Sequence, residues 1–408
     1  MNYTGLIATN ILLPNTDDYN AWACIACDQF TSEKDYWVTL SKHVAGKKTT
    51  LDLTLPEIYL DGTEEQRIKK INENIKDYIN NGVFKTLKKG FVLTVRKTPY
   101  VQRRIGLVGA IDLEAYDFSQ KSDALIRATE GTIQERIPPR IKIRKDAAVE
   151  FPHVMVLFDD EKREITEKLY EQRDCLEKLY DFELNMGGGS IEGYFVENSD
   201  QILEKFSELL NAERLIAKYG KEDKFAFAVG DGNHSLATAK THWNNLKKTL
   251  SQEELENHPA RYALIELVNI YDEGIYFEPI YRFVFGVDKV KFTEGLKKID
   301  GGQMRVYDGK EYACCGKNSL PEGIRAVDAF IKDYVEKFGG AVDYIHGESN
   351  LKKLVDDRND AVGILFEKLN KSDLFRYVSE NGAFPRKTFS MGEGVEKRYY
   401  LEGRKIVK

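Results

Sequence analysis

Cysteine is scarce in this chain: five residues, Cys24, Cys27, Cys175, Cys314 and Cys315, in a sequence of 408. An odd and sparse set excludes a disulfide framework and fits reduced thiols in a cytoplasm. Positive charge is not in excess either. With 60 Lys and Arg against 66 Asp and Glu, the formal net charge is −6, which argues against a general nucleic-acid binder and leaves only a local basic patch open. No stretch has the length and apolarity of a membrane span. The opening Met1-Asn-Tyr-Thr-Gly-Leu-Ile7 also lacks a basic region followed by a long apolar run. A soluble, cytoplasmic protein is expected. The 10 prolines and 31 glycines show no period and no clustering into linkers, so collagen-like and low-complexity structure are excluded. What remains, at 42% hydrophobic and 31% charged residues, is a globular composition long enough for two or three domains or one long mixed α/β unit.

The stretch richest in chemistry is Phe225-Ala-Phe-Ala-Val229 followed by Gly230-Asp-Gly-Asn-His-Ser235. The apolar run predicts a strand buried on both faces, and the glycines predict a turn into a helix that continues to Lys240. Such a turn lets backbone approach a ligand, and the first N–H groups of the helix attract an anion. Asp231 can then hold a metal or take a proton, and His234 can pair with phosphate. Asn233 and Ser235 can cap the helix or touch the ligand. An ordinary turn with Asn233 as N-cap accounts for the same residues.

Elsewhere the spacing of Ile68, Ile71, Ile75 and Tyr78 predicts a core-facing helix over 63–81, after a turn at Asp61-Gly62. Phe91–Val95 and Arg104–Ile111 read as paired strands, with Gly106 and Gly109 marking a close approach of another backbone. Val154–Phe158 and Arg261–Ile270 read as further strands. Helices are expected over Glu161–Tyr180 and Ser199–Tyr219, and a hairpin turn at the glycines after Met186. Cys24-Ile-Ala-Cys27 has the spacing of half a zinc site, but packing cysteines are preferred because no second pair follows. Beyond Phe285, alternating helices and strands indicate a second lobe.

Ile126–Arg144 holds Arg127, Arg136, Arg140, Arg144 and Lys142, the main concentration of positive charge in the chain. Arginine forks suit phosphate or carboxylate oxygens, and a solvated basic face is the alternative.

Taken together, these stretches resemble the domain of unknown function 1015 family. Asp231, Gly232 and His234 match its Asp-Gly-His-His-Arg signature, while Asn233 and Ser235 replace the first His and the Arg. Glu130 and Thr132 match a His-Glu-Arg-Thr motif in which Thr129 and Gly131 differ. Asp28 sits where relatives carry an acidic amino-terminal loop, and it also reads as a cap for the next helix. Arg282, after Pro279, matches a Pro-Thr-His-Arg strand end with Tyr281 in place of His, and Lys387 matches a basic tail motif.

The resemblance implies a mixed α/β (α+β) fold: a ParB/sulfiredoxin-like core over 1–285 with extra α/β elements, and a smaller carboxy-terminal lobe over 286–408. It further implies a kinase of free L-serine using ATP or ADP with Mg²⁺. In that scheme Asp231 or Glu130 orients the hydroxyl or the metal, and Asp28 is a further acidic partner. His234 and the Gly230–Gly232 backbone cradle phosphate. Asn233, Ser235, Thr132, Arg127, Arg282 and Lys387 bind donor or substrate. A non-catalytic or ParB-like nucleotide-binding protein is the alternative. The partners implied are small molecules, a nucleotide and its acceptor, with neither nucleic acid nor membrane.

Overall fold

The computed structural model describes residues 2–60, 62, 64–132, 134–151 and 153–408, with the side chains of Arg136 and Cys315 excepted. Asp61, Thr63 and Ile133, which figure in the expectations above, lie outside the described residues. The protein is a mixed α/β molecule that divides into two units. The first runs to Ile275 and is rejoined by Phe375–Gly382 and Glu393–Lys408; the second is Tyr276–Leu374 with Ala383–Gly392. The boundary expected at residue 285 therefore falls ten residues earlier, and the tail belongs to the first unit. A single cut in sequence could not reveal a chain that crosses back twice.

The first unit is built on an eleven-stranded sheet among the described residues. Along it run, in spatial order, Glu177–Glu183, Ser190–Val196, Phe84–Lys97, Arg104–Asp112, Tyr262–Asn269, Met155–Phe158, Phe227–Asp231, Ile126–Ala128 and Tyr116–Asp117. Alternate side chains feed two cores. Val92, Val108 and Leu264 join Trp22, Trp37 and Ile75, whereas Phe91, Leu93, Leu107 and Leu267 join Phe158, Phe206 and Trp243. A sheet covered on both faces needs apolar residues at every position, which is why these strands read as unbroken hydrophobic runs. The helix Glu64–Asn80 covers one face, burying Ile68, Ile71, Ile75 and Tyr78 at the expected spacing.

Three expectations are corrected. The helix expected over Glu161–Tyr180 is only Thr166–Glu171, because Glu177–Glu183 is instead taken as a strand by Ser190–Val196, with Glu177 opposite Phe195. Cross-strand pairing has overridden a helix-like spacing of leucines. The helix over Ser199–Tyr219 is broken in two at Asn211, whose side chain caps Ala212–Tyr219 by accepting from the Arg214 amide at 3.1 Å. Gly106 and Gly109 make room for side chains rather than backbone: a Cβ would meet Glu266 and Thr94 at the first, and Phe91 at the second.

The tail Glu393–Lys408 is threaded into this unit as a strap. Tyr399–Tyr400 pairs with Cys24–Ile25, and Arg404–Lys405 with Val149–Glu150. Beneath it Arg398 donates to Glu266 at 2.7 Å and to Glu402 at 2.6 Å, all three buried, and Thr94 donates to Glu266 at 2.7 Å. Buried carboxylates survive only when paired in this way.

The second unit is an antiparallel sheet in the order Glu311–Cys315, Gln303–Tyr307, Ala361–Phe366, Phe277–Phe285 and Ala341–His346. Its longest helix, Leu320–Phe338, starts with a Ser319/Glu322 capping box and buries Ile324, Val327, Ile331 and Tyr334. Among the described residues, no helix is long and apolar enough to cross a membrane.

Candidate active site

The signature strand is Phe227–Asp231, two residues later than expected, so Gly230 and Asp231 are still part of the sheet. It runs parallel to Ile126–Ala128, which brings the arginine-rich stretch alongside. Against Met155–Phe158 it carries a bulge between Val229 and Asp231. A bulge turns the strand end and re-aims the side chain that follows. Gly232 then adopts φ 78°, and a Cβ there would lie 2.9 Å from the Val154 Cα, so both conformation and space demand glycine. The helix Asn233–Leu246 follows at once. Asn233 is its first residue rather than its cap, and its amide donates back to the Val229 carbonyl at 3.3 Å, beside Thr129 at 2.6 Å. His234 and Ser235 occupy the first turn, half-buried.

Asp231 is held from two sides. One oxygen accepts from the Gly232 amide at 2.8 Å, the other from the Lys397 ammonium at 2.9 Å. Lys397 belongs to the strap, and its side chain is only 12% exposed.

A second pair faces this one. Asp28, just after the strand Cys24–Ile25, lies 3.3 Å from Nε2 of His153, and Nδ1 of that ring is 3.0 Å from the Tyr400 hydroxyl. Tyr400 donates to Cys27 Sγ at 2.9 Å and accepts from the Cys27 amide at 3.0 Å. This pattern suits a doubly protonated imidazole, with one N–H on the carboxylate and the other on the phenol oxygen. Burial alone would raise the Asp28 carboxyl. His153, a 3.0 Å hydrogen bond from Gln29 and the charge of Lys397 outweigh it and hold Asp28 well below the usual carboxylate range. Burial opposes the His153 charge, yet Asp28, Asp231 and Glu57 together raise its pKa above the ordinary value. Burial, followed by the charge of Asp28, pushes the Cys27 thiol up to about 12, so it is a hydrogen-bonding group and not a thiolate. Glu57, whose amide donates to the Cys27 carbonyl at 2.8 Å, is bridged to Arg140. Asp28, His153, Asp231, Lys397, Glu57 and Arg140 thus form one charged group drawn from six stretches of chain.

The remaining candidates are distributed differently. Of the four arginines in the basic stretch, Arg140 alone is shown in this group. Arg127 is buried against Asp223, with Nη1 at 2.9 Å, and Arg144, half-buried, pairs with Glu150 at 2.6 Å. Glu130 is half-buried after the strand Ile126–Ala128, and the Thr132 hydroxyl is buried without a partner among the described residues. Arg282 and Lys387 are in the second unit. All five N–H donors of Arg282 are used there, on both oxygens of Asp328 and on the carbonyls of Ile280, Arg386 and Lys387, so it is a buried structural fork and not a ligand for phosphate. Three residues of the charged group, Glu57, His153 and Lys397, carry no motif in the sequence, and neither does Tyr400, which touches the His153 ring. His153 offers one faint signal, a histidine at the mouth of a buried strand; the two strap residues offer none.

Asp231 as a metal ligand does not fit. Both its oxygens are engaged, an ammonium stands where a cation would, and among the described residues no three His, Cys, Asp or Glu side chains converge as a metal site. The paired cysteines likewise pack: Cys24 Sγ lies 3.2 Å from the Thr49 hydroxyl.

A family model described as "Protein of unknown function (DUF1015)" matches residues 10–363. No curated protein matches the chain. Among solved structures, a conserved hypothetical protein from Pyrococcus furiosus is 12% identical, with 73% of this chain and 94% of that one covered at a TM-score of 0.38. A free serine kinase in complex with AMP is 10% identical, covering 73% and 90% at a TM-score of 0.40. SbnI with a carboxy-terminal truncation, from Staphylococcus aureus, is 9% identical, covering 70% and 82% at 0.36.

Proposed function

The chain belongs to the DUF1015 family, and from that premise we propose that it is a phosphotransferase that moves the terminal phosphoryl group of ATP or ADP onto the hydroxyl of free L-serine. The observation that supports this reading best is the charged group around the Gly230–Gly232 turn. Two acids, Asp28 and Asp231, which sequence resemblance singled out from positions two hundred residues apart, belong to it together.

Phosphoryl transfer asks a protein for positioning and charge compensation more than for covalent chemistry. The serine oxygen attacks the terminal phosphorus, a new O–P bond forms, the bond to the bridging oxygen breaks, and the nucleotide leaves one phosphate shorter. The hydroxyl proton passes to Asp28. A carboxylate stabilised as strongly as Asp28 is a weak base, so its main work is to orient the hydroxyl. Proton transfer then comes late, when the oxygen has become acidic, with His153 keeping the carboxylate in place. The backbone of Gly230–Gly232 and the first turn of the helix Asn233–Leu246, with His234 and Ser235, receive phosphate oxygens. The residues present do not form a site for Mg²⁺ at Asp231, whose two oxygens are held by the Gly232 amide and the Lys397 ammonium.

The test is formation of O-phosphoserine from L-serine with ATP or ADP supplied as magnesium salts. Asp28→Asn, Asp231→Ala and His234→Ala variants are assayed beside the intact protein. Product from the intact protein, and its loss in the variants, is expected. Absence of product with either donor, in a protein whose melting temperature still rises with nucleotide, would replace the kinase by a nucleotide-binding protein.

A further inference from the structure

The strap lies wholly beyond residue 363, where the match to the family ends, yet it delivers Lys397 to the signature aspartate. We propose that Lys397 is an anion-binding residue of this site, held by Asp231 so that its ammonium meets the phosphate oxygens of the donor. This deepens the kinase reading and rests on it for the identity of the anion.

The strap is anchored on both sides of Lys397 with unusual care. Arg96 donates to the carbonyl of Val395 at 3.2 Å, and Arg104 clamps the carbonyl of Glu396 through both terminal nitrogens at 3.1 Å. The Glu396 side chain accepts from Thr98 at 2.6 Å, and the Arg398 carbonyl accepts from the Ala26 amide at 2.9 Å. With the backbone fixed before and after it, Lys397 has little freedom except along its own stem. A lysine used only as a surface tether needs no such support.

The ammonium itself is placed for a second partner. It carries three N–H donors, and Asp231 takes one, the only hydrogen bond Lys397 Nζ makes among the described residues. The ammonium is hydrogen-bonded to the carboxylate of the turn and near enough to Asp28, the one assigned to the hydroxyl, for its charge to act on it. That is the position from which a cation compensates the charge that develops between donor and acceptor during phosphoryl transfer. It also adds a permanent positive charge to a turn whose other anion-binding groups are backbone N–H dipoles and the side chains of His234 and Ser235.

A purely structural pair predicts different behaviour from an anion ligand. The full-length protein is titrated calorimetrically with inorganic pyrophosphate and with ADP, and Lys397→Gln and Lys397→Met are compared with it. Lys397→Gln keeps an N–H for Asp231 and removes the charge, so it preserves a tether and abolishes an anion ligand. Lys405→Ala, exposed on the same strap, is the control.

The expected result is a loss of affinity of about ten- to a hundredfold for both probes in Lys397→Gln, in a protein that still unfolds cooperatively with a melting temperature lowered by a few degrees, as for any half-buried ion pair that loses one charge. Lys405→Ala should bind as the intact protein does. Should Lys397→Met fail to fold, Lys397→Gln decides alone. Unchanged affinity in a folded Lys397→Gln protein overturns the proposal, as does an intact protein that binds neither probe. Pyrophosphate binding that depends on Lys397, in a protein that makes no O-phosphoserine, leaves this inference standing and removes the kinase reading.

Discussion

Replacing Asp28 by Asn, or His153 by Gln, removes one charge from the pair that faces the signature turn. The magnitude follows from where the pair sits. Exposed ion pairs contribute about 0 to 1 kcal/mol, and breaking a buried one costs about 3 to 5 kcal/mol. With side chains 26% and 11% exposed and 3.3 Å between the charged atoms, the pair falls between these limits, so about 2 kcal/mol is expected for either substitution near pH 6.

The pH dependence has a definite sign. His153 is raised in the folded protein, so its contribution is complete below its unfolded value near 6.5 and disappears as pH rises through the folded value. Asp28 is lowered, so its contribution is complete above its unfolded value near 4 and is lost as pH falls toward the folded one. The pair is therefore worth most between about pH 4 and 6.5. Urea unfolding of the intact protein and both variants at pH 6 and pH 9.5 measures the difference. At the higher pH the deficit should shrink to under about 1 kcal/mol, a neutral hydrogen bond being all that is left to lose. Histidine labelled at Cε1 gives a direct reading, since the chain has only six. Asp28→Asn should lower the His153 midpoint by about one to three pH units. An unmoved midpoint, or a deficit as large at pH 9.5 as at pH 6, would refute the assignment of charge to this pair.

Two further substitutions test the framework that carries the site. Arg398→Met leaves Glu266 and Glu402 buried without their counter-ion and should destabilise the first unit by about 3 to 5 kcal/mol, read as a fall in the urea midpoint; a loss under about 1 kcal/mol would contradict the buried network. Arg282→Gln should cost a similar amount, about 3 kcal/mol or more, in unfolding of the second unit, because a fully buried guanidinium serves Asp328 and three carbonyls. Nucleotide binding in the folded fraction of that variant should persist, whereas a selective loss of binding with full stability would return Arg282 to the site.

Much of the site's first half is legible along the chain. The turn at Gly230–Gly232 announces itself because an apolar run, two glycines and a helix start are local signals, and local geometry obeys local residues. The core helix Glu64–Asn80 and the strands Met155–Phe158 and Tyr262–Asn269 are readable for the same reason, their burial being written in periodicity. Where neighbours in space overrule neighbours in sequence, reading fails. Glu177–Glu183 ends a stretch with Ile165, Leu169, Leu176 and Leu179 at helical spacing and becomes a strand because a hairpin partner satisfies its backbone. Arg127 and Arg282 have the chemistry of phosphate ligands and become buried forks because Asp223 and Asp328 reach them first.

The sequence by itself determined the residue types available to the site, the turn that presents Asp231 and the composition that makes a large mixed α/β core. Only the tertiary structure decided which charges meet. His153 pairs with Asp28 across 125 residues and Lys397 with Asp231 across 166, the second through a strap whose route depends on buried ion pairs. Electrostatic partners are chosen by distance in space, and in a low-dielectric interior a few ångströms decide whether a charge is a ligand, a base or a structural clamp.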